Sequence, residues 1–197
     1  KAMEPVLQQA WDQGARLHTN SWGDEENFLP HNRYTERAAD VDRFVWEHPD
    51  MTVLFAAGNA GGEGDDTVIS PATAKNVIAA GATWRADIEP PCPTEWSSRG
   101  FAHDGRIKPD VIAPGASVVS AESDFFVGGA QDCEYLPMSG TSMATPVTAG
   151  HAALVRQYFV DGYYPGGSPD PGSAFTPSAA LVKAMLIASA VDLAELG

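Results

Sequence analysis

The stretch Met51-Thr52-Val53-Leu54-Phe55-Ala56-Ala57 constrains the fold more than any other part of the chain. It is a nearly uninterrupted apolar run of strand length, closed by Pro49-Asp50 before it and Gly58-Asn59 after it. A strand with one wet face alternates apolar and polar side chains, whereas a strand covered on both faces need not. The run is therefore expected inside a parallel sheet. Val77 to Ala82 reads as a second buried strand, Val111-Ile112 as a short third, and Ala15 to Ser21 as a strand ending at Trp22-Gly23. Between them lie helical spacings: Val6, Leu7, Ala10 and Trp11 with Gly14 as a stop, then Ala38, Val41, Phe44 and Val45 ending near His48. A third helix is expected from Thr145 to Phe159, with Pro146 in its first turn, where a missing N–H costs little. Its small residues Ala149, Gly150, Ala152 and Ala153 suggest close packing on several sides. Thr176-Pro177 reads as an N-cap and first position of a fourth helix through Leu181, Met185 and Ile187. Alternation of strands and helices predicts one α/β domain over residues 1–197, built from right-handed crossovers.

The charge narrows the partners. With 26 acidic against 12 basic side chains the net charge is −14, which repels phosphate backbones and argues against nucleic acid. No apolar run approaches the ~20 residues needed to cross a bilayer, so no membrane partner is expected. The start, Lys1-Ala2-Met3-Glu4-Pro5, lacks the basic-then-apolar layout of a signal peptide. The Asp65-Asp66 loop and the Asp24-Glu25-Glu26 loop are candidate Ca²⁺ sites, although neither has EF-hand spacing and no ion is assigned. Cys92 and Cys133 fit either one disulfide in an exported protein or two free thiols.

The sharpest chemical signal is Ser139-Gly140-Thr141-Ser142-Met143-Ala144-Thr145-Pro146. A glycine that lets the backbone turn into a helix leaves the next serine at the positive end of the helix dipole. A carbonyl attacked there would develop its negative charge against backbone N–H groups. Ala144 stands where Gly-x-Ser-x-Gly would have its last glycine, which argues against an α/β-hydrolase elbow.

This string resembles the active-serine motif of the subtilase family (peptidase S8), and the resemblance runs over roughly residues 10 to 190. It implies an α/β, three-layer subtilisin-like fold with a parallel β-sheet, and a serine endopeptidase acting through an acyl-enzyme on Ser142. Ala56-Ala57-Gly58-Asn59 is similar to the segment whose asparagine donates to the oxyanion. Asn59 and the Ser142 N–H would then form the hole, and Thr141 would buttress Asn59. Asn20-Ser21-Trp22-Gly23 resembles the segment that pairs with extended substrate. Ser21, Trp22 and Gly23 would line the substrate pocket with Ala56, Ala57 and Gly58. Ser70-Pro71 matches a position where the family often carries a cis proline, and Lys108 to Gly115 resembles the stretch leading toward the serine.

A serine hydroxyl needs a positioned base, and the base an orienting carboxylate. The family's Asp-Ser/Thr-Gly and His-Gly-Thr-His motifs precede its Ser-Trp-Gly segment, and neither string occurs here. The fold is therefore expected to be incomplete, beginning after both. None of the five histidines substitutes readily. His151 lies nine residues past Ser142, about 13 Å along one helix. His48 reads as a helix-end residue, His18 lies in a strand, and His31 and His103 are expected exposed in polar loops. Exposed strand edges would call for a homo-oligomer or a complementing N-terminal segment. The partner implied by resemblance is a protein or peptide substrate, the location extracellular, and no cofactor is required for the chemistry. The alternative is a non-catalytic pseudo-protease that binds extended peptides.

Overall fold

The chain begins with a two-and-a-half-turn helix, α1 (Glu4–Asp12), which stops because Gly14 adopts φ +92°. The computed structural model describes residues 3–24, 30–85, 92–122 and 134–193. Strand β1 (Leu17–Asn20) follows, then α2 (Glu36–Glu47), β2 (Thr52–Ala56), a short 3-10 turn (Gly61–Glu63) and β3 (Ile78–Thr83). After a small hairpin of β4 (Gly100–Phe101) and β5 (Ile107–Lys108) come β6 (Val111–Pro114), β7 (Val118–Ala121) and β8 (Tyr135–Met138). Two helices close the order, α3 (Thr141–Val160) and α4 (Ala179–Ser189).

The main sheet has the order β1-β2-β3-β6 and every pairing is parallel, with Asn20 opposite Phe55, Leu54 opposite Ile78, and Ala80 opposite Val111. All five residues of β2 and all six of β3 are buried, as the apolar run at 52–56 requires of a strand with two covered faces. Alternate side chains divide between the faces. Val53, Phe55, Ala57, Val77 and Ala79 join Leu7 of α1 and Val41, Phe44 and Val45 of α2 in one core. Helix α3 packs across β1, β2, β3 and β6, making the third layer of a three-layer α/β fold.

Three sequence expectations change. Helix α3 starts at Thr141 rather than Thr145, so Pro146 is inside it. Only one face of α3 is buried (Thr141, Ala144, Thr145, Thr148, Ala152 and Phe159); Gly150 and Ala153 are exposed, so small residues here do not mean enclosure on several sides. Helix α4 is capped by Ser178, whose Oγ accepts from Leu181 N at 3.1 Å, and begins at Ala179; Thr176-Pro177 precede the cap. The cap is displaced because Ala179 N donates to Pro49 O, docking that turn beneath the end of α2.

Behind β3, Asp110 accepts from Lys108 Nζ at 2.8 Å, from Lys183 Nζ at 2.9 Å and from Ala79 N at 2.8 Å, so one carboxylate ties β3, β6 and α4 together. Burial, followed by the charge of Lys183, pushes the Lys108 ammonium down to about 8 against the pull of Asp110.

Candidate active site

Ser142 occupies the first turn of α3, where backbone N–H groups have no acceptor within the helix. No acidic side chain stands in that turn to offset the positive end of the dipole. The proline inside the helix has a local consequence. Pro146 has no N–H to give the carbonyl of Ser142 four residues earlier. That carbonyl is instead taken by the hydroxyl of Ser21, at 2.7 Å, and Ser142 Oγ in turn donates to Ser21 O at 3.3 Å. The reciprocal pair fastens the segment after β1 to the start of α3.

Asn59 follows β2 and is oriented by Thr141. Thr141 N donates to Asn59 Oδ1 at 2.9 Å, and Thr141 Oγ1 lies 3.1 Å from the same oxygen. A backbone N–H can only donate, so the atom facing it is the carbonyl oxygen and Nδ2 is turned to the other side of the amide. Thr141 Oγ1 also lies 3.2 Å from Gly58 O and accepts from Gly58 N at 3.2 Å. Gly58 has φ +111°, and a Cβ there would meet Ser98 Oγ at 2.8 Å, so this turn admits glycine and little else.

Ser21, Trp22, Gly23, Ala56, Gly58, Asn59, Thr141 and Ser142 share one cavity of about 410 Å³ with Asp24 and Ile69. It opens where β1 and β2 end, outside the carboxyl ends of parallel strands, where ligands of open α/β sheets bind. Ala57 is the exception among the residues singled out from sequence. It does not line the cavity: its side chain is fully buried in the core with α1 and α2, and its carbonyl accepts from Ile69 N at 2.9 Å. Trp22 stands edge-on to Phe55 with ring centroids 5.5 Å apart. Asp24, at the cavity margin, is paired with Arg37.

Among the described residues no histidine ring hydrogen-bonds Ser142. His18 Nδ1 meets Asn20 Nδ2 at 3.0 Å, and burial lowers its pKa from the ordinary value. His48 Nδ1 and His151 Nδ1 bond the carbonyls of Phe44 and Val147. His103 is exposed, but His31, expected exposed, is buried with Nε2 3.2 Å from Glu63 Oε2. It is enclosed because Asn32 and His103 clip its loop to the β4–β5 hairpin through Asn32 Nδ2 to Phe101 O and His103 N to Asn32 O.

The candidate cation loops are engaged internally: Asp65 pairs with Arg99, and Asp66 Oδ1 accepts from Phe101 N. Glu25, Glu26 and Cys133 lie outside the described residues, so the choice between a disulfide and two free thiols falls there too; Cys92 is of intermediate exposure and has no disulfide partner among the described residues. Ser70-Pro71 is cis.

Ile69 had no sequence signal of its own, being an ordinary apolar residue next to Ser70-Pro71. Asp24 was singled out only as a candidate cation ligand, and its pairing with Arg37 joins positions thirteen apart across a loop.

Fold and site together define an α/β protein that presents a serine at a helix amino end, above the carboxyl edge of a parallel sheet. The model of the subtilase family matches residues 2–197, and the chain belongs to that family of serine proteases. It is 30% identical to the serine protease/ABC transporter B family protein tagD of Dictyostelium discoideum, over 94% of this chain and 14% of that protein. It is 38% identical to the serine protease AprX of Bacillus subtilis, over 54% of this chain and 26% of that one. The self-cleaved protease domain of PatA superposes with a TM-score of 0.64 at 25% identity, covering 98% of this chain and 60% of that chain. A cold-adapted subtilisin-like serine proteinase shares the fold at a TM-score of 0.57 and 22% identity, over 94% of this chain and 53% of that one. The chain thus spans about a seventh of tagD and a quarter of AprX. No helix among the described residues is long and apolar enough to cross a membrane.

Proposed function

We propose that Ser142 is the nucleophile of a serine endopeptidase that cleaves extended peptides through an acyl-enzyme. The observation that carries this reading is the shared cavity: the Ser142 hydroxyl, the Asn59 amide and the segments after β1 and β2 all border one space. Asn59 and the Ser142 N–H serve as oxyanion donors, with Thr141 holding Asn59 by its carbonyl end. The backbone of Ser21, Trp22 and Gly23, and that of Ala56, Ala57 and Gly58, flanks the substrate strand. With no imidazole bonded to Ser142, these residues alone provide the oxyanion and binding contributions, roughly 10³–10⁴ over water. That supports reaction with activated esters and not with peptide bonds. Full activity therefore draws its base from a complementing N-terminal segment. That segment, or a second copy of the chain, covers the β1 edge of the sheet. The working location is extracellular, a structural Ca²⁺ is an accessory and not a participant, and the substrate is protein or peptide.

An active-site-directed fluorophosphonate tests this. The expected result is one label at Ser142, absent in Ser142→Ala and about 10²–10³ slower in Asn59→Ala. Wild-type protein with a cooperative unfolding transition that stays unlabelled overturns the reading. Peptide binding without labelling would then identify a non-catalytic peptide-binding module.

A further inference from the structure

We infer that Ile69 closes the specificity pocket, so that the substrate residue donating the scissile carbonyl carries a small, uncharged side chain. The inference rests on Ser142 being the nucleophile and deepens that reading.

Ile69 is held from both sides. Its N–H donates to Ala57 O at 2.9 Å, and the carbonyl of the next residue, Ser70, accepts from Asp24 N at 2.7 Å. The Ile69 side chain is thereby inserted between the two segments that flank the cavity. Its position is read from the glycines facing it. A Cβ on Gly23 would fall 2.5 Å from Ile69 Cδ1 and 2.8 Å from Cγ1, and a Cβ on Gly58 would fall 3.2 Å from both Cγ1 and Cγ2. The slot between these walls, the space a substrate side chain would enter, is occupied by Cγ1, Cγ2 and Cδ1 of isoleucine. Ile69 nonetheless borders the same cavity as Ser142 while only 6% exposed, so a limited face of it forms the floor.

The walls do not yield readily. Gly58 is fixed by φ +111°, by the Thr141 hydroxyl and by Ser98 N donating to Gly58 O at 3.0 Å. Chemistry points the same way as shape. Among the described residues lining the cavity the charged group is Asp24, which already has Arg37 as its partner, and the polar side chains of Ser21, Asn59, Thr141 and Ser142 are uncharged. A long basic or acidic side chain would find neither depth nor, among the described residues lining the cavity, an available counter-charge. Glycine, alanine and serine fit; phenylalanine, leucine and lysine require Ile69 to move.

The test compares acylation of Ser142 by the p-nitrophenyl esters of N-acetylalanine and N-acetylphenylalanine, each corrected for spontaneous hydrolysis. Acyl-enzyme is identified by mass. One surplus methylene in a fitted apolar pocket changes rates by about 10–200-fold, so the wild-type alanine:phenylalanine ratio should be on the order of 10². Ile69→Ala and Ile69→Gly should lower that ratio at least about tenfold by admitting phenylalanine, and Ile69→Val should move it less in the same direction. Equal or faster acylation by the phenylalanine ester in wild type overturns the inference without any variant, as does an unchanged ratio in folded Ile69→Ala. Labelling by fluorophosphonate together with either result leaves the nucleophile standing and removes only the pocket floor. No reaction with the esters or the fluorophosphonate removes both.

Discussion

Replacing Thr141 by valine separates the bracing of Asn59 from mere space-filling. The side chain is fully buried, and valine keeps its shape while deleting one oxygen. That oxygen has one proton, shared between Gly58 O at 3.2 Å and Asn59 Oδ1 at 3.1 Å, and it accepts from Gly58 N at 3.2 Å. Losing the donated bond costs about 0.5–1.5 kcal/mol, and leaving the buried Gly58 N–H without its acceptor costs about 1–3 kcal/mol. The expected destabilisation is therefore about 2–4 kcal/mol. Thr141→Ser keeps both bonds and gives up one methyl, about 1 kcal/mol.

The assay is equilibrium urea unfolding followed by far-ultraviolet circular dichroism. With a slope near 2 kcal/mol/M, the valine variant should lower the midpoint by about 1–2 M with no change of slope. Fluorophosphonate labelling should also slow more in Thr141→Val than in Thr141→Ser, because valine removes the hydroxyl contact to Asn59 Oδ1 that serine keeps. A valine variant within about 0.5 kcal/mol of wild type, or more stable than the serine variant, would refute the reasoning.

Two further outcomes follow from the same geometry. The Lys108 ammonium is buried and titrates near 8, whereas in the unfolded chain it holds its proton to 10.5. The unfolded state thus binds more protons between those values, and stability should rise across pH 8 to 10.5 by an amount of order 3 kcal/mol relative to Lys108→Met. Parallel pH profiles for the two proteins would contradict it. Ser21→Ala removes the hydroxyl that occupies the carbonyl left open by Pro146; because the pair is exposed, water replaces it and stability should change by less than about 1 kcal/mol. Labelling of Ser142 should nevertheless slow, by up to about tenfold, since the lost bond fixes the Ser142 carbonyl and with it the first turn of α3 that carries the hydroxyl. An unchanged labelling rate would show that the contact is incidental.

The contrast between Pro146 and β2 explains which parts of the molecule were legible from sequence. A strand buried on both faces advertises itself locally, since each residue from Thr52 to Ala56 must be compatible with an interior, and no distant partner is needed to read it. The same holds for β3 and for the apolar faces of α1 and α2. Proline also carries a strong local rule, that it belongs in a helix's first turn, and following it placed the start of α3 four residues late. The rule gave way because the bond Pro146 cannot make to the Ser142 carbonyl is replaced by one from Ser21, 121 residues before Ser142. His31 departs from expectation for the same kind of reason, its polar neighbourhood closing only when the β4–β5 hairpin is laid against it. The ladder of β7 and β8 has no periodicity to betray it, for all four side chains of β8 are exposed. Motif spacing named Ser142, Asn59 and Thr141 because their contacts involve short, fixed elements at the ends of β2 and α3. Ile69 stayed invisible because what it does depends on two glycines, Gly23 and Gly58, that face it from separate segments. A pocket wall is written where its side chains are, but a pocket floor is written in the residues that leave room for it.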